Sequence, residues 1–336
     1  MLNVSINGLG RIGRATLKIL LDTPGLNLVA VNDLIPGDNL AYLLKFDTVY
    51  GRWRRDVRAH ENCLNIDGKD YPVLSANDPT TLPWRQMEVD LVFECTGVFR
   101  TRVDLAKHIE AGARFVILSA PAKSEDVPTV IHAVNTTTQK PADIISCASC
   151  TTNCITPVVE IMGRRIGIKK AMMTTIHGYT SSQAIIDSGK KDFRRGRAGA
   201  ANLVPASTGA AVATTRALPE FKGRFAGVAV RVPVPVGSLA DIVFVTPRDT
   251  SVEEVNRVFK EEAASARYRE VLAITEEPIV SSDIIQQTYA SIVDLSLTQV
   301  VDRDLVKIMS WYDNEWGYAS QMVREALNLS RAPSAP

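Results

Sequence analysis

A glycine-rich turn near the start of the chain constrains its fold most strongly. A strand-like pattern over residues 2–7 precedes Gly8, Gly10 and Gly13, and an apolar helical periodicity follows them. In this context Gly8 permits a tight turn, Gly10 lets the backbone approach a phosphate, and Gly13 allows a helix to pack closely on a strand. The helix N-terminus adds positive electrostatic potential. The pattern therefore predicts a strand-turn-helix unit that binds a pyrophosphate.

Asp33 supports this interpretation. A second strand pattern over residues 27–31 ends just before it, and Asp33 lies 20 residues after Gly13. At that spacing a carboxylate can accept hydrogen bonds from the ribose hydroxyls of adenosine. The alternative is an ordinary strand-helix turn followed by an aspartate that faces water, but it leaves the order and spacing of these residues unexplained. Together they favour a dinucleotide site.

The rest of the first half continues a parallel-sheet pattern. Strand-like runs cover residues 89–95 and 115–119, with a helical pattern at 103–111 between them and another strand around residues 144–145. Each run ends in small residues, as expected where the carboxyl ends of parallel strands hold a cofactor. These runs predict a doubly wound sheet.

The pattern changes beyond Cys150. Alternating residues over 225–232 and 241–245 predict a largely antiparallel sheet. The fold class is therefore α/β, and a chain of 336 residues is long enough for two domains. We expect a Rossmann-type doubly wound dinucleotide-binding domain over residues 1–149 and a second, α+β catalytic domain over residues 150–315. Helical periodicity over residues 316–331 predicts a last helix that completes the first domain.

Cys150 stands at the predicted start of a helix. Ser149 can cap the apolar-periodic segment that follows, which leaves unpaired backbone donors of the first turn near the Cys150 sulfur. Such surroundings lower the pKa of a cysteine, so the motif predicts a reactive thiolate. The plainer interpretation is that these cysteines are small buried residues. A base elsewhere in the sequence is needed to favour the nucleophile.

A metal site is a further alternative for the cysteines. Cys147, Cys150 and Cys154 have a spacing that could serve zinc or an iron-sulfur cluster. Cys63 and Cys95 stand far off in the sequence, with neither Cys nor His at ligand spacing beside them. We therefore expect no metal.

Bulk charge favours no charged macromolecule as the main partner. The 38 basic side chains nearly balance the 37 acidic ones, and a formal charge of +1 gives no general attraction to nucleic acid or an anionic membrane. The cluster Lys190–Arg197 leaves a nucleic-acid or regulatory role as an alternative class, which the near-neutral charge disfavours. No apolar run reaches the roughly 18 residues of a bilayer span, and no signal peptide is recognised. The cysteines are five, an odd number, and three of them stand in one motif rather than being spread as a disulfide framework; this suits a reducing compartment, and we expect a cytoplasmic protein.

Donors suited to phosphate are concentrated in the second half of the chain. Hydroxyl, backbone amide and guanidinium groups are the usual phosphate ligands. A long segment rich in Gly, Ser and Arg and the strand beyond it supply Thr180, Arg195, Ser207, Thr208, Gly209 and Arg231. A structureless loop of about 30 residues in a compact domain is usually functional. The pattern indicates a phosphorylated substrate.

The sequence resembles the phosphorylating glyceraldehyde-3-phosphate dehydrogenases over essentially its whole length. The blocks that carry the resemblance are Asn7 to Gly13, Ser149 to Cys154, Thr174 to Thr180, Ser207 to Ala211, Arg231 to Pro233 and Trp311 to Tyr318. The erythrose-4-phosphate dehydrogenases share the Ser149 to Cys154 and Trp311 to Gly317 blocks. The pair Tyr179-Thr180 is associated with the glyceraldehyde enzymes, so the resemblance favours glyceraldehyde 3-phosphate, with erythrose 4-phosphate as the alternative substrate.

The resemblance implies a role for each matching residue. Cys150 would be the nucleophile, His177 the base that activates it, and Cys154 a structural thiol. The substrate phosphate would bind Thr180 and Arg231, and the attacking inorganic phosphate would bind Ser149, Thr151, Arg195, Thr208 and Gly209. The dinucleotide would be bound by Asn7, Gly8, Gly10, Arg11, Ile12, Gly13, Asp33, Thr96, Gly97, Ser119, Asn314 and Tyr318.

The implied reaction converts D-glyceraldehyde 3-phosphate, phosphate and NAD(P)⁺ to 1,3-bisphosphoglycerate and NAD(P)H through a Cys150 thioester. Asp33 would repel a 2′-phosphate and so favours NAD. Ser188-Gly189 stands where NAD-specific members commonly carry Leu-Pro, which leaves use of NADP open beside NAD. The resemblance also implies a homotetramer.

Overall fold

The computed structural model describes residues 1–136 and 142–331. Within these ranges the chain forms two compact units. The first comprises residues 1–130, 142–148 and 322–331, and the second comprises residues 131–136 and 149–321. Each unit is built around a large sheet of its own.

The first unit contains an eight-stranded sheet with the order β10-β9-β8-β1-β2-β7-β6-β5. Its strands are β1 (Leu2–Asn7), β2 (Leu26–Asn32), β5 (Val57–His60), β6 (Cys63–Ile66), β7 (Lys69–Leu74), β8 (Leu91–Glu94), β9 (Phe115–Leu118) and β10 (Ile144–Ser146), and a separate pair is β3 (Phe46–Asp47) and β4 (Gly51–Arg52). The pairs from β10 through to β7 are parallel, and β7, β6 and β5 pair antiparallel. The helices are α1 (Arg11–Leu21), α2 (Gly37–Lys45) and α3 (Arg102–Glu110).

Chain order reverses beside β1. The strands that follow β1 directly lie on one side of it, and β8, β9 and β10 lie on the other. In doubly wound sheets, ligands bind outside the carboxyl ends of the strands at such a reversal. The predicted α/β fold with a doubly wound dinucleotide-binding domain is confirmed.

Burial explains why β1 and α1 form where they do. Val4, Ser5 and Ile6 are all fully buried, as expected of a central parallel strand covered on both faces. In α1, Leu17 and Leu20 are buried three residues apart, which is the spacing of one helical face. The residues that the sequence pattern marks as apolar are the ones that pack in the core, so β1 and α1 hold the two ends of the glycine-rich turn between them.

The second unit contains a seven-stranded sheet with the order β12-β13-β11-β14-β17-β16-β15. Its strands are β11 (Lys170–Gly178), β12 (Val204–Ser207), β13 (Phe225–Val232), β14 (Ser238–Val245), β15 (Leu272–Thr275), β16 (Ser291–Val301) and β17 (Leu305–Tyr312). Its helices are α4 (Cys150–Arg165), α5 (Ala210–Ala217) and α6 (Val252–Ala264), and α7 (Trp316–Arg331) begins here. The pairs β11·β13 and β15·β16 are parallel and the other four pairs are antiparallel, as the prediction of a largely antiparallel sheet requires.

The parallel pair β11·β13 places Arg231 directly opposite His177. This register is the main contribution of the sheet to the site, because the two residues lie 54 positions apart in the sequence. The antiparallel pairs on the other side of β11 bring β14 and then β17 alongside.

Candidate active site

Cys150 is the first residue of α4. The Ser149 hydroxyl accepts a hydrogen bond from the Thr152 N–H at 3.2 Å, so Ser149 is the N-cap of this helix. The first backbone N–H groups of a helix have no intrahelical partner. Those of Cys150 and Thr151 act on the sulfur and oppose, without cancelling, the rise in the pKa of the Cys150 thiol that burial causes.

His177 approaches this sulfur from the carboxyl end of β11. Its Nε2 lies 3.4 Å from Cys150 Sγ, and the imidazole is buried. The residues predicted to be nucleophile and base are therefore in direct contact, although 27 positions separate them in the sequence.

Arg231 acts on His177 from the neighbouring strand. A guanidinium N–H contacts His177 Nδ1, and the same nitrogen donates to the Gly178 carbonyl at 3.1 Å. Burial, and after it the positive charge of Arg231, lower the pKa of His177 to about 3. The imidazole is therefore neutral at pH 7, and one of its nitrogens can accept a proton.

The state of the Cys150 thiol differs from the sequence-based expectation. Burial raises the pKa of Cys150 and outweighs the charge of Arg231 and the Thr151 hydrogen bonds, which lower it. The prediction of a depressed pKa is wrong because it counted the donors at the helix start and not the loss of solvent around the sulfur. In the free protein the pair is thus a thiol beside a neutral imidazole.

The Gly178 carbonyl and the Arg231 guanidinium make opposite demands on His177 Nδ1. The carbonyl oxygen lies 2.7 Å from Nδ1 and can only accept, whereas the Arg231 N–H groups can only donate, and Arg231 also donates to that carbonyl. In the tautomer with the proton on Nδ1, the carbonyl contact is satisfied, the Arg231 contact with Nδ1 is not a hydrogen bond, and the lone pair of Nε2 faces Cys150 Sγ. In that tautomer Nε2 can accept the proton of the Cys150 thiol.

Tyr312 is a site residue that the sequence analysis missed. Its hydroxyl lies 2.8 Å from Thr151 Oγ1 and 2.7 Å from Thr175 Oγ1. Its ring meets the His177 ring edge-on, with centroids 5.9 Å apart and an interplanar angle of 76°. Tyr312 thus links the first turn of α4 to β11. Its position in the Trp311 to Tyr318 block was visible, but only the pairing of β17 with β14 places it beside the histidine.

The predicted phosphate ligands form a second group. Ser182 Oγ lies 2.9 Å from Thr180 Oγ1 and accepts from Arg195 Nη1, also at 2.9 Å. Arg195 Nη2 donates to the Ser207 carbonyl at 3.1 Å, immediately before the N-terminal turn of α5. The charge of Arg195 also lowers the pKa of His177, so this group lies within electrostatic reach of the Cys150 pair.

The remaining predicted phosphate ligands surround helix starts. Thr208 Oγ1 accepts from the Ala210 N–H at 3.2 Å, and Gly209 is the N-cap residue of α5. The Thr151 hydroxyl lies 2.8 Å from the Tyr312 hydroxyl, and the Thr151 N–H faces the Cys150 sulfur at the start of α4.

Asn314 is held by the turn before β14. Its Oδ1 accepts from the Gly237 N–H at 3.1 Å and from the Ser238 hydroxyl at 2.9 Å. The Gly178 N–H in turn donates to Ser238 Oγ at 3.2 Å. These bonds orient the side-chain amide so that its NH₂ group points away from them. Tyr318 is buried in the first turn of α7.

In the first unit, a cleft of about 330 Å³ opens at the carboxyl ends of β1, β2 and β8. Its lining includes Asn7, Gly8, Gly10, Asn32, Asp33, Leu34, Ile35, Ala76, Asn77, Cys95, Thr96, Val98 and Phe99. Gly8 has φ of +93°, and a Cβ there would lie 2.7 Å from the Thr96 N–H nitrogen. A Cβ on Gly13 would lie 1.9 Å from the Gly8 carbonyl oxygen, whereas one on Gly10 would meet nothing within 4 Å.

This cleft fits a dinucleotide. The open space over Gly10 leaves the start of α1 accessible to a phosphate. Asp33 is fixed by the N–H groups of Leu9, at 2.5 Å, and Ile35, at 2.9 Å, which hold its carboxylate at the cleft. An ordinary turn would require neither feature.

The other predicted cofactor residues lie around the cleft. Arg11 forms an ion pair with Asp47 at 2.6 Å, which anchors its guanidinium in the protein. Ile12 is half-buried in the first turn of α1, Gly97 has φ of +73° after β8, and the Ser119 N–H donates to the Glu94 carbonyl at 3.0 Å.

The described residues offer neither a metal cluster nor a membrane-spanning helix. No group of three or more His, Cys, Asp or Glu side chains there is arranged to hold a metal ion, and the five cysteines are free thiols. Among the described helices, none is long and apolar enough to cross a membrane.

The fold and the cleft define an NAD-binding oxidoreductase. Residues 2–102 match the NAD binding domain of glyceraldehyde 3-phosphate dehydrogenase, and residues 149–314 match the C-terminal domain of the same enzyme family. The chain is 45% identical over 325 residues to glyceraldehyde-3-phosphate dehydrogenase of Streptomyces coelicolor, covering 96% of each chain. It is 46% identical over 322 residues to the enzyme of that name from Geobacillus stearothermophilus, covering 95% of this chain and 96% of the other. It is 44% identical over 330 residues to glyceraldehyde-3-phosphate dehydrogenase 1 of Bacillus subtilis, covering 98% of each. The chain belongs to the glyceraldehyde 3-phosphate dehydrogenase family, and its cofactor is NAD.

Proposed function

We propose that this protein is a phosphorylating glyceraldehyde-3-phosphate dehydrogenase that works through a thioester on Cys150. The observation that carries the proposal is the 3.4 Å contact between Cys150 Sγ and His177 Nε2. A half-buried thiol next to a neutral base is the arrangement that covalent catalysis on an aldehyde requires. The family and its relatives supply the substrate class.

The first step forms a bond between sulfur and the aldehyde carbon. His177 Nε2 takes the thiol proton as Cys150 Sγ attacks the carbonyl, which gives a hemithioacetal. The imidazolium formed can return a proton to, or hydrogen-bond, the former carbonyl oxygen. A donor of this kind is worth about 3 kcal/mol where it has been measured in other enzymes. The low pKa of His177 makes the imidazolium a strong acid, which suits it to this return of the proton.

The second step oxidises that carbon. Bound NAD supplies the acceptor for the hydride. His177, again neutral, removes the hydroxyl proton of the hemithioacetal, and the product on Cys150 is a thioester. Inorganic phosphate then attacks the thioester carbonyl, the C–S bond breaks, and the acyl phosphate leaves. The His177 imidazolium returns its proton to the departing sulfur, which restores the thiol and the neutral imidazole, and the hydroxyl proton of the phosphate passes to solvent. The oxidation energy is thereby kept in the anhydride.

Anion binding is assigned to the two groups described above. Arg231 and Thr180 would bind the phosphate of the aldehyde, because Arg231 lies against the Cys150–His177 pair. Ser149, Thr151, Arg195, Thr208 and Gly209 would bind the attacking phosphate through hydroxyls, backbone N–H groups and a guanidinium. Asn314 would donate its amide NH₂ to the nicotinamide carboxamide, and Tyr318 would lie against the ring.

Cofactor preference follows from Asp33. A carboxylate fixed by the Leu9 and Ile35 N–H groups cannot turn away easily from a 2′-phosphate, so we expect NAD to be used more efficiently than NADP. The Ser188-Gly189 pair keeps dual use open, and comparing kcat/KM for the two cofactors measures the preference directly.

The test is NAD reduction by glyceraldehyde 3-phosphate with and without inorganic phosphate. Activity should depend on phosphate, and Cys150→Ser should lower kcat by on the order of 10³-fold or more while NAD still binds. Cys154→Ser is the matched control: Cys154 lies one turn further along α4, 3.9 Å from Ser291 Oγ, where a serine hydroxyl finds the same partners. Full activity in Cys150→Ser, or a preference for erythrose 4-phosphate without need of phosphate, would overturn the proposal.

Three further expectations accompany this function. They are the division into domains at residues 1–149 and 150–315 with the helix 316–331, a homotetramer, and a cytoplasmic location without nucleic acid as a main partner. Light scattering on the purified protein measures the second.

A further inference from the structure

A buried polar cluster underlies the dinucleotide cleft of the first unit. Glu94 and His108 are each fully buried, and so is Trp84. Glu94 ends β8, His108 lies in α3, and Trp84 lies in the segment between β7 and β8. Buried carboxylates and histidines in a parallel α/β sheet need a reason, because an apolar side chain would cost less to bury.

Donor and acceptor rules fix the hydrogen-bond directions in this cluster. The Trp84 indole N–H can only donate, and it lies 3.0 Å from His108 Nδ1, so Nδ1 is the acceptor. The His108 proton therefore lies on Nε2, which is 3.1 Å from Glu94 Oε2. Trp84 thus fixes the tautomer of His108 in which Nε2 donates to Glu94.

The carboxylate of Glu94 binds His108 in the cluster and two residues that line the cleft, Asn7 and Thr96. Oε2 accepts from His108 and from Asn7 Nδ2, the latter at 2.6 Å. Oε1 accepts from the Thr96 N–H at 2.8 Å and from the Thr96 hydroxyl. Four donors meet the two oxygens of Glu94, so both oxygens are satisfied by hydrogen bonds.

Both cleft residues held by Glu94 are constrained from a second side. Asn7 Oδ1 accepts from Asn32 Nδ2 at 2.7 Å, and Asn32 also lines the cleft. The Thr96 hydroxyl accepts from the Val98 N–H at 3.1 Å, which sets the turn through Gly97. The walls of the cleft on β1 and β8 are thereby joined through one buried carboxylate.

We propose that Glu94, His108 and Trp84 form a positioning relay that holds Asn7 and Thr96 in the geometry required to bind NAD. None of the three lines the cleft, so they act through the residues that do. The proposal rests on the assignment of this cleft to NAD and is independent of the chemistry at Cys150.

Variants of Glu94 and His108 separate positioning from general stability. Glu94→Gln keeps the shape but turns an NH₂ group toward two of the four donors, so either Asn7 or Thr96 must move. We expect the Kd for NAD to rise roughly tenfold or more. His108→Leu removes the donor to Oε2 and should weaken NAD binding similarly. His108→Gln can place an amide NH₂ near the position of Nε2, so it should keep the Kd within about threefold of the wild type while losing the acceptor for Trp84.

Thr101→Ala is the matched control. Thr101 caps α3, the helix that carries His108, through a reciprocal pair of bonds with Asp104. Loss of this cap weakens the helix without touching the cluster. We expect a lower urea midpoint with the Kd for NAD within about twofold of the wild type.

The experiment is calorimetric titration of each purified variant with NAD, without aldehyde, together with urea unfolding and the ¹H–¹⁵N spectrum of the indole groups. The Trp84 indole signal should shift in both His108 variants and stay in place in Thr101→Ala. Wild-type NAD affinity in Glu94→Gln and His108→Leu would overturn the proposal. So would a loss of affinity in Thr101→Ala equal to theirs, because binding would then follow stability alone. Should Glu94→Gln not fold, the contrast between His108→Gln and His108→Leu decides. A failure of Cys150 chemistry would leave all of these values unchanged.

Discussion

Arg231 decides how the Cys150–His177 pair can work. Its charge lies against His177 Nδ1 and lowers the pKa of that imidazole, and it also lowers the pKa of the Cys150 thiol. The lowered pKa of His177 favours the neutral imidazole, whereas the lowering effect on the Cys150 pKa favours the charged thiolate. Burial exceeds the second effect, so in the proposed mechanism proton transfer accompanies attack rather than preceding it.

This state of the pair predicts the pH dependence of Cys150 alkylation. Burial raises the thiol pKa above the ordinary value of 9.0, so the rate of reaction with iodoacetamide should still be rising at pH 9. Arg231→Met should shift the profile to still higher pH, because the charge that lowers this pKa is gone. Mass spectrometry of the labelled peptide measures the rate at Cys150 alone.

Arg224→Met provides the control for that experiment. Arg224 lies just before the same strand, β13, but donates to the Ile168 carbonyl at 3.2 Å. Its removal should leave the alkylation profile unchanged. A plateau below pH 7 in the wild type would instead mean a preformed thiolate-imidazolium pair and would contradict the neutral state.

Single residues were predictable to different depths. Motifs predicted roles for Cys150 and His177, which lie in contact, and spacing predicted one for Asp33, which lines the cleft, because those signals are local. The direction of the Cys150 pKa was wrong because desolvation depends on residues far away in sequence. Tyr312 was missed for the same reason: nothing near it in the chain indicates that it contacts Thr151 and Thr175.

At the scale of the element, short edge strands were the least predictable. β12 is only Val204–Ser207, lies at the edge of its sheet and contains Pro205. Proline argues against a central strand and is tolerated at an edge, so the residue composition there indicated a loop. By contrast, α3 at Arg102–Glu110 differs from the predicted 103–111 by one residue at each end, because periodicity and a capping box define it locally.

The N-cap of α4, Ser149, stabilises the helix and orders the turn that carries Cys150. The N-cap of α6, Ser251, stabilises a helix away from the sulfur and serves as the control. Ser149 accepts from the Thr152 N–H at 3.2 Å, and Ser251 accepts from the Glu254 N–H at 3.2 Å. Substitution of either serine by alanine should lower the free energy of unfolding by about 1 kcal/mol. Only Ser149→Ala should also change the alkylation rate of Cys150, since that cap orders the turn around the sulfur.

Urea unfolding and alkylation of the two variants measure these effects together. Equal alkylation rates in Ser149→Ala and Ser251→Ala would show that the first turn of α4 keeps its geometry without the cap.

At the scale of the whole molecule, the class of each sheet was predictable but its full extent was not. The parallel core of the first sheet follows from its apolar runs. The antiparallel extension β5 to β7 was missed, although Asp67-Gly68, both with positive φ, is the typical turn between two such strands. That signal was present in the sequence. The sequence held no such signal for the pairing of strands in the second sheet, because alternation shows which face of a strand is buried but not which strand lies next to it.

The stability of the protein should depend on pH through His177. Its pKa is about 3 in the folded state and about 6.5 in an unfolded chain, so below pH 6.5 the unfolded state binds the extra proton. Stability contributed by the neutral imidazole is therefore complete above pH 6.5 and is lost as pH falls towards 3, at about 1.4 kcal/mol per pH unit. Between pH 7 and pH 5 this amounts to about 2 kcal/mol. His177→Gln removes the titrating group. The difference in free energy of unfolding between the wild type and this variant, measured with urea, should therefore shrink by about 2 kcal/mol between pH 7 and pH 5.

Tyr312→Phe is the control. It alters the ring next to His177 but leaves the imidazole in place, so its difference in free energy of unfolding from the wild type should stay constant between pH 7 and pH 5. A constant difference for His177→Gln as well would mean that the folded protein takes up the proton as readily as the unfolded chain, and the neutral base on which the proposed mechanism depends would be lost.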